Sequence, residues 1–242
     1  MPGARNKADM SSHSAKRLDT VLFDLDGTLA DTAPDLAQTL NQLLVEQGQE
    51  PLPFAAIRPH VSNGASALVT LGFGLAGDDP DFEALRQRFL DIYSDNLCRQ
   101  TTLFPGMDEL LQQIEQQSMR WGVVTNKPAR FTEPLLEALG VSQRAACIIS
   151  GDSTEKRKPH PEPMLLACRQ LGIEPACCLY VGDARRDIDA GRNAGMLTLV
   201  AAFGYIGEQD TPDDWQAHGV VDSPLSILDW LLQYNQGLTA AS

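Results

Sequence analysis

The chain has 242 residues, 43% of them hydrophobic, and a formal net charge of -13. That is ample for a buried core, in one domain or in a core domain carrying an insert, and excludes a disordered or fibrous chain. The acidic balance lacks the basic surface that draws proteins to nucleic acid or anionic lipid, so neither partner is expected, and an anionic substrate would need a locally positive pocket.

Residues 1–18, ending in Lys16, Arg17 and Leu18, are polar and basic without the apolar core of a secretory signal. They read as a flexible N-terminal extension. Residues 19–24 form a short apolar run into an acidic turn, DLDGTLADT, and Pro34 then opens a helical pattern with Leu36, Leu40, Leu43 and Leu44 on one face. The same strand, loop and helix grammar recurs at 120–125 before NKPARF, 146–149 before SGDS, 177–182 before DARRD and 197–201 before FGYIG. Helical patterns over 106–117, 130–139, 161–171 and 185–194 separate these runs, which predicts an α/β fold with a parallel sheet covered on both faces.

Residues 35–104 interrupt that alternation with amphipathic stretches at 54–60, 64–71 and 81–97 and few β-branched runs. The expected organisation is an all-helical insert between two parts of a core, 19–34 and 105–242, with Pro105-Gly106 as the hinge. Val220-Val221 and then Pro224 onward read as a last strand and a closing helix. Five cysteines, Cys98, Cys147, Cys168, Cys177 and Cys178, show no metal-ligand spacing and suit a reducing compartment. No stretch approaches the roughly 18 apolar residues of a membrane span. A soluble, cytoplasmic monomer or weak dimer is expected.

Ligands of such sheets bind beyond the carboxyl ends of the strands. The residues there are Asp24 and Asp26, Thr125 and Asn126, a loop with Lys158, and then Asp183 and Asp187. An Asp-Gly pair such as Asp26-Gly27 is an ordinary strand-end turn. A turn alone leaves the second acid, Asp24 at the end of an apolar strand, unaccounted for. One carboxylate can attack phosphorus while its neighbour protonates the leaving oxygen and then activates water.

The segment DLDGTLADT resembles the signature of the haloacid dehalogenase superfamily, whose phosphatases share Asp-x-Asp-Gly-Thr. The resemblance implies a Rossmann-like core in which Asp24 forms an aspartyl-phosphate. Asp26 would then be general acid and base, with its backbone carbonyl on a magnesium ion. Thr125, in VVTNKP, matches the hydroxyl residue that bonds the transferring phosphoryl group, with Asn126 beside it. Lys158, in KRKPHPEP, matches the cation that neutralises nucleophile and phosphate. Asp183, in VGDARRD, matches an acidic magnesium ligand, with Asp187 in support.

The chemistry asks for such parts in any case. A loose phosphoryl-transfer transition state needs positioning and charge neutralisation, and a hard divalent ion with oxygen ligands supplies one cation while a lysine supplies another. Alone, Lys158 beside Lys156 and Arg157 reads equally as a solvated lysine; its place before Pro159, in a loop after the third strand, favours the site. Asp187 has a neighbour in Asp189, and an early helical acid also suits the helix dipole.

The insert resembles the small helical cap of the phosphoglycolate phosphatase and β-phosphoglucomutase branch, which closes over small phosphorylated metabolites. Within it, Ser62-Asn63-Gly64-Ala65 offers a glycine and a helix N-terminus to an anion, or an ordinary cap. Arg58 and His60 are candidates for a substrate carboxylate. WGVVTNKPARF, GYIGEQDTPDDW and VVDSPL are similar to the N-acetylmuramic acid 6-phosphate phosphatases of cell-wall recycling, a group often labelled phosphoglycolate phosphatase. Both substrates pair a phosphate with a carboxylate; the muramic sugar ranks first and phosphoglycolate second. A sugar phosphomutase would share the same intermediate. A dehalogenase has no use for magnesium or a proton-donating Asp26, and an inactive binding protein tends to lose a motif residue, whereas all four motifs are present.

Overall fold

The computed structural model describes residues 16–207 and 210–240. The expected extension falls mostly on residues 1–15, outside the described residues. Leu18 is an exception: it is fully buried, and its backbone N–H and C=O bond the Asn235 side chain at 2.9 Å each. Packing therefore starts before residue 19.

Among the described residues, six strands form a parallel sheet: β1 (Thr20–Phe23), β4 (Arg120–Val124), β5 (Ile148–Ile149), β6 (Cys178–Gly182), β7 (Leu197–Ala201) and β8 (Gly219–Val221). Their order is β5-β4-β1-β6-β7-β8, with Phe23 opposite both Val123 and Val181. All four residues of β1 and all five of β6 are buried, as the unbroken apolar runs require of strands covered on both faces. From β1 the chain builds first toward β5 and later toward β8, so the topology switches at β1 and opens a crevice at its carboxyl end.

Helices α5 (Met107–Gln116), α6 (Ala129–Ala138), α7 (Glu162–Leu171), α8 (Arg185–Ala194) and α9 (Pro224–Ala240) accompany this sheet. The inserted helices are α1 (Ala33–Glu46), α2 (Phe54–Ile57), α3 (Gly64–Phe73) and α4 (Phe82–Asp95), with a 3-10 turn over Arg58–Asn63. Helix α1 packs its buried Leu36, Leu40, Leu43 and Leu44 toward α3 and α4, which contribute Leu68, Val69, Phe89 and Ile92.

Two short strands, unforeseen in the sequence, join insert and core: β2 (Ala30–Asp31) pairs antiparallel with β3 (Thr102–Leu103). The link is reinforced by Asp35, which is buried and accepts from Gln100 N at 2.9 Å, Thr101 N at 3.0 Å and Thr101 Oγ1 at 2.7 Å. All five cysteines are free, with Cys147, Cys168 and Cys178 buried. Among the described residues no helix is long and apolar enough to cross a membrane.

Candidate active site

Strand β1 delivers Asp24 to the crevice, where its N–H bonds Val181 O at 2.9 Å and its Oδ1 accepts from Leu25 N at 2.8 Å. The chain then turns back at Gly27, whose φ of +83° suits glycine. A Cβ there would lie 2.2 Å from Asp183 Oδ2, so this glycine also lets the turn press against the loop after β6.

Lys158 is the buried cation of the site. Its Nζ lies 2.8 Å from Asp24 Oδ1 and 2.7 Å from Asp187 Oδ1, and it donates to Val124 O at 3.1 Å and Tyr180 Oη at 2.8 Å. Burial alone would lower its pKa; Asp187 and Asp24 outweigh that and raise it, so it stays an ammonium. The surface-lysine alternative is thereby removed. Its backbone is fixed by Asn126, which accepts from Lys158 N and donates to Lys158 O, both at 3.0 Å. The Asn126 side chain, expected on the phosphate, thus positions the lysine loop. Thr125 lies buried at the end of β4, beside the cavity.

Asp24, Asp183 and Asp187 bring carboxylate oxygens within 4.8 Å of one another, all three residues buried. Asp187 serves two neighbours: its Oδ2 accepts from Ala184 N at 3.0 Å, capping α8, while Oδ1 faces Lys158. Asp183 accepts from Thr28 Oγ1 at 3.2 Å, Ser62 Oγ at 2.8 Å and Tyr205 N at 2.9 Å. Burial, then repulsion from Asp187 and Asp24, pushes the Asp183 carboxyl up to about 7. Asp24 is pushed up to about 6, chiefly by burial and against the pull of Lys158. Three oxygen donors crowded out of water against one lysine make a set that a hard divalent cation fits. Asp189 stands apart, 3.7 Å from Arg185 on the surface.

A cavity of about 390 Å³ opens over Asp24 and Asp26, and the insert lines its other side. Asp26 accepts from Thr32 Oγ1 at 2.6 Å and from Lys127 Nζ at 3.0 Å. Lys127, next to Asn126 and overlooked in the sequence, is nearly buried and sits 4.6 Å over the Tyr93 ring of α4. Arg86, Arg130, Arg157 and Arg186 complete a cationic lining, which answers the charge problem posed by an acidic chain. They come from four separate segments, and no local signal marks them.

Of the expected insert residues, Asn63 and Gly64 line the cavity where α3 begins. Arg58 does not reach it: its guanidinium donates to Phe203 O at 3.3 Å and stacks 4.9 Å from the Tyr205 ring centroid. His60 is exposed and likewise outside the lining.

The profile of the haloacid dehalogenase-like hydrolases matches residues 21–201. This chain belongs to that family. The hydrolase is 45% identical over 215 residues to the N-acetylmuramic acid 6-phosphate phosphatase of Pseudomonas aeruginosa, covering 89% of this chain and 95% of that protein. It is 44% identical over 204 residues to the phosphoglycolate phosphatase of Xanthomonas campestris pv. campestris, covering 84% and 92%. The crystal structure of a predicted phosphoglycolate phosphatase from Haemophilus somnus 129PT superposes with a TM-score of 0.79 at 28% identity, covering 89% of this chain and 98% of that one. With such relatives over nearly its whole described length, this hydrolase is a phosphoric monoester hydrolase.

Proposed function

We propose that the protein is a magnesium-dependent phosphatase that forms a phosphoryl ester on Asp24 and acts on a small carboxylate-bearing metabolite, N-acetylmuramic acid 6-phosphate first. The observation that carries this reading is Lys158 placed between Asp24 and Asp187 with Asp183 closing a cluster of three carboxylates. Asp24, Asp183 and Asp187, with the Asp26 backbone carbonyl, would hold the ion. When bound, it supplies positive charge to phosphoryl oxygens that would otherwise be repelled by the nucleophile.

The remaining steps belong to the chain's own groups. Asp24 attacks phosphorus as the bond to the leaving oxygen breaks, with Lys158 beside the attacking carboxylate limiting its repulsion from the phosphate. The Thr125 hydroxyl bonds the phosphoryl group. Asp26 protonates the leaving oxygen and then takes a proton from the water that frees Asp24. In this structure Thr32 and Lys127 both donate to Asp26 Oδ1, which orients the carboxyl and leaves Oδ2 to face the leaving oxygen. The helical insert, residues 35–104, is the cap that excludes water from these steps.

The cavity supports the larger substrate. At about 390 Å³ it lies in the range that houses drug-sized ligands, beyond the needs of two-carbon phosphoglycolate. Phosphoglycolate remains the second reading because a relative at 44% identity bears that name.

The test is phosphate release by the wild type and Asp24→Asn on N-acetylmuramic acid 6-phosphate, phosphoglycolate and a sugar 1-phosphate, with isomerised sugar assayed alongside. Wild-type release that is highest on the muramic sugar and absent in a folded Asp24→Asn is expected. Isomerisation without release, or substantial turnover by Asp24→Asn, would overturn the reading.

A further inference from the structure

We infer that two core arginines, Arg130 and Arg157, read the substrate's carboxylate. This rests on the phosphatase reading above and names the part of the same site that chooses the substrate.

Most cations of the site are already engaged. Lys158 serves Asp24 and Asp187, and Lys127 serves Asp26. Arg86, on α4, is held by both Glu83 oxygens at 2.6 and 2.7 Å. Arg186 donates to Asn63 Oδ1 at 3.1 Å and to Ser62 O, fastening core to cap. Two guanidiniums on the cavity wall remain. Arg130 lies 4.7 Å over the Phe131 ring with no ion-pair partner among the described residues. Arg157 donates its Nε to Gly151 O at 2.7 Å, which anchors the side chain and leaves its terminal nitrogens for a ligand.

These two residues stand on one stiff platform. The loop after β4 and the loop after β5 are tied by Gly151 N to Lys127 O at 2.8 Å and by Ala129 N to Asp152 Oδ1 at 2.9 Å. A Cβ on Gly151 would lie 2.0 Å from Asn126 O, so the two backbones are as close as glycine permits. Planar guanidiniums on a rigid base suit a carboxylate, which accepts paired hydrogen bonds. The transferred phosphate already has Lys158 and the proposed metal, so the two arginines supply charge for a second anionic group. From the cap, by contrast, the wall receives no second cation: its one arginine, Arg86, pairs with Glu83, and its polar residues Ser62, Asn63 and Ser66 are neutral.

The experiment compares kcat/KM on N-acetylmuramic acid 6-phosphate with that on N-acetylglucosamine 6-phosphate, which lacks only the carboxylate-bearing ether. Wild type, Arg130→Gln, Arg157→Gln, the double variant and Arg130→Lys are measured. Each Gln variant should lower the ratio of the two constants by about 10-fold or more, through KM on the muramic sugar, as loss of charged hydrogen bonds requires. The double variant should lower it further, and Arg130→Lys should restore part of it. An unchanged ratio in the double variant, equal losses on both sugars, or a wild-type ratio near one would overturn the inference. A wild type that releases phosphate from neither sugar nor from p-nitrophenyl phosphate would overturn the phosphatase reading itself.

Discussion

Lys158 shows how much of a residue's meaning lies in its surroundings. In sequence it stands in a basic triplet, and only its place before Pro159 set it apart. In the fold it is fully buried between two carboxylates, with Asn126 fixing its backbone. Replacing it with Gln leaves both acids without their cation, a change that costs about 3–5 kcal/mol when a buried pair is broken. We expect Lys158→Gln to reduce kcat at least about 100-fold, the scale on which a single transition-state contact acts, and to lower the urea unfolding midpoint. Wild-type kcat in this variant would remove the lysine from the chemistry. Asp24, Asp26, Asp183 and Asp187 were legible because acids at strand ends obey a local pattern. Lys127 and the arginines were not, because nothing in their neighbours distinguishes a pocket cation from a solvated one.

The helices and strands of the core were legible for the same reason, since apolar runs and 3.6-residue periodicity are local. The pair β2 and β3 was not, because two residues each give no period. What steadies that junction is long-range. Tyr205 donates its N–H to Asp183 at 2.9 Å while its hydroxyl accepts from Ala33 N at 2.9 Å and donates to Asp31 Oδ1 at 2.7 Å. One residue thus joins the Asp183 carboxylate, through its backbone, to the junction of β2 and α1, through its hydroxyl. Tyr205→Phe removes only the hydroxyl and strands the Ala33 N–H, so a loss of about 1–3 kcal/mol in chemical unfolding is expected. Unchanged stability would show that the junction does not depend on it.

Across the whole molecule, crowded acids set a pH dependence. Asp24 and Asp183 are raised to about 6 and about 7 from an ordinary 3.8, so the folded chain binds more protons than the unfolded one between those values. Without metal, their contribution to stability therefore falls as pH rises from about 4 to about 7, and repulsion within a chain of net charge -13 acts in the same sense. The urea midpoint in EDTA should drop over that range, less steeply in Asp183→Asn, and magnesium should recover most at pH 8. A midpoint in EDTA that rises over that range in both proteins would contradict this charge account.

Asp24 is the proposed carrier of the phosphoryl group. Acid-quenching a single turnover and reducing any acyl phosphate with tritiated borohydride reports on that directly. Tritium is expected in the peptide containing Asp24 and none in Asp24→Asn. Label on a different acid, or complete turnover with no label at all, would contradict it.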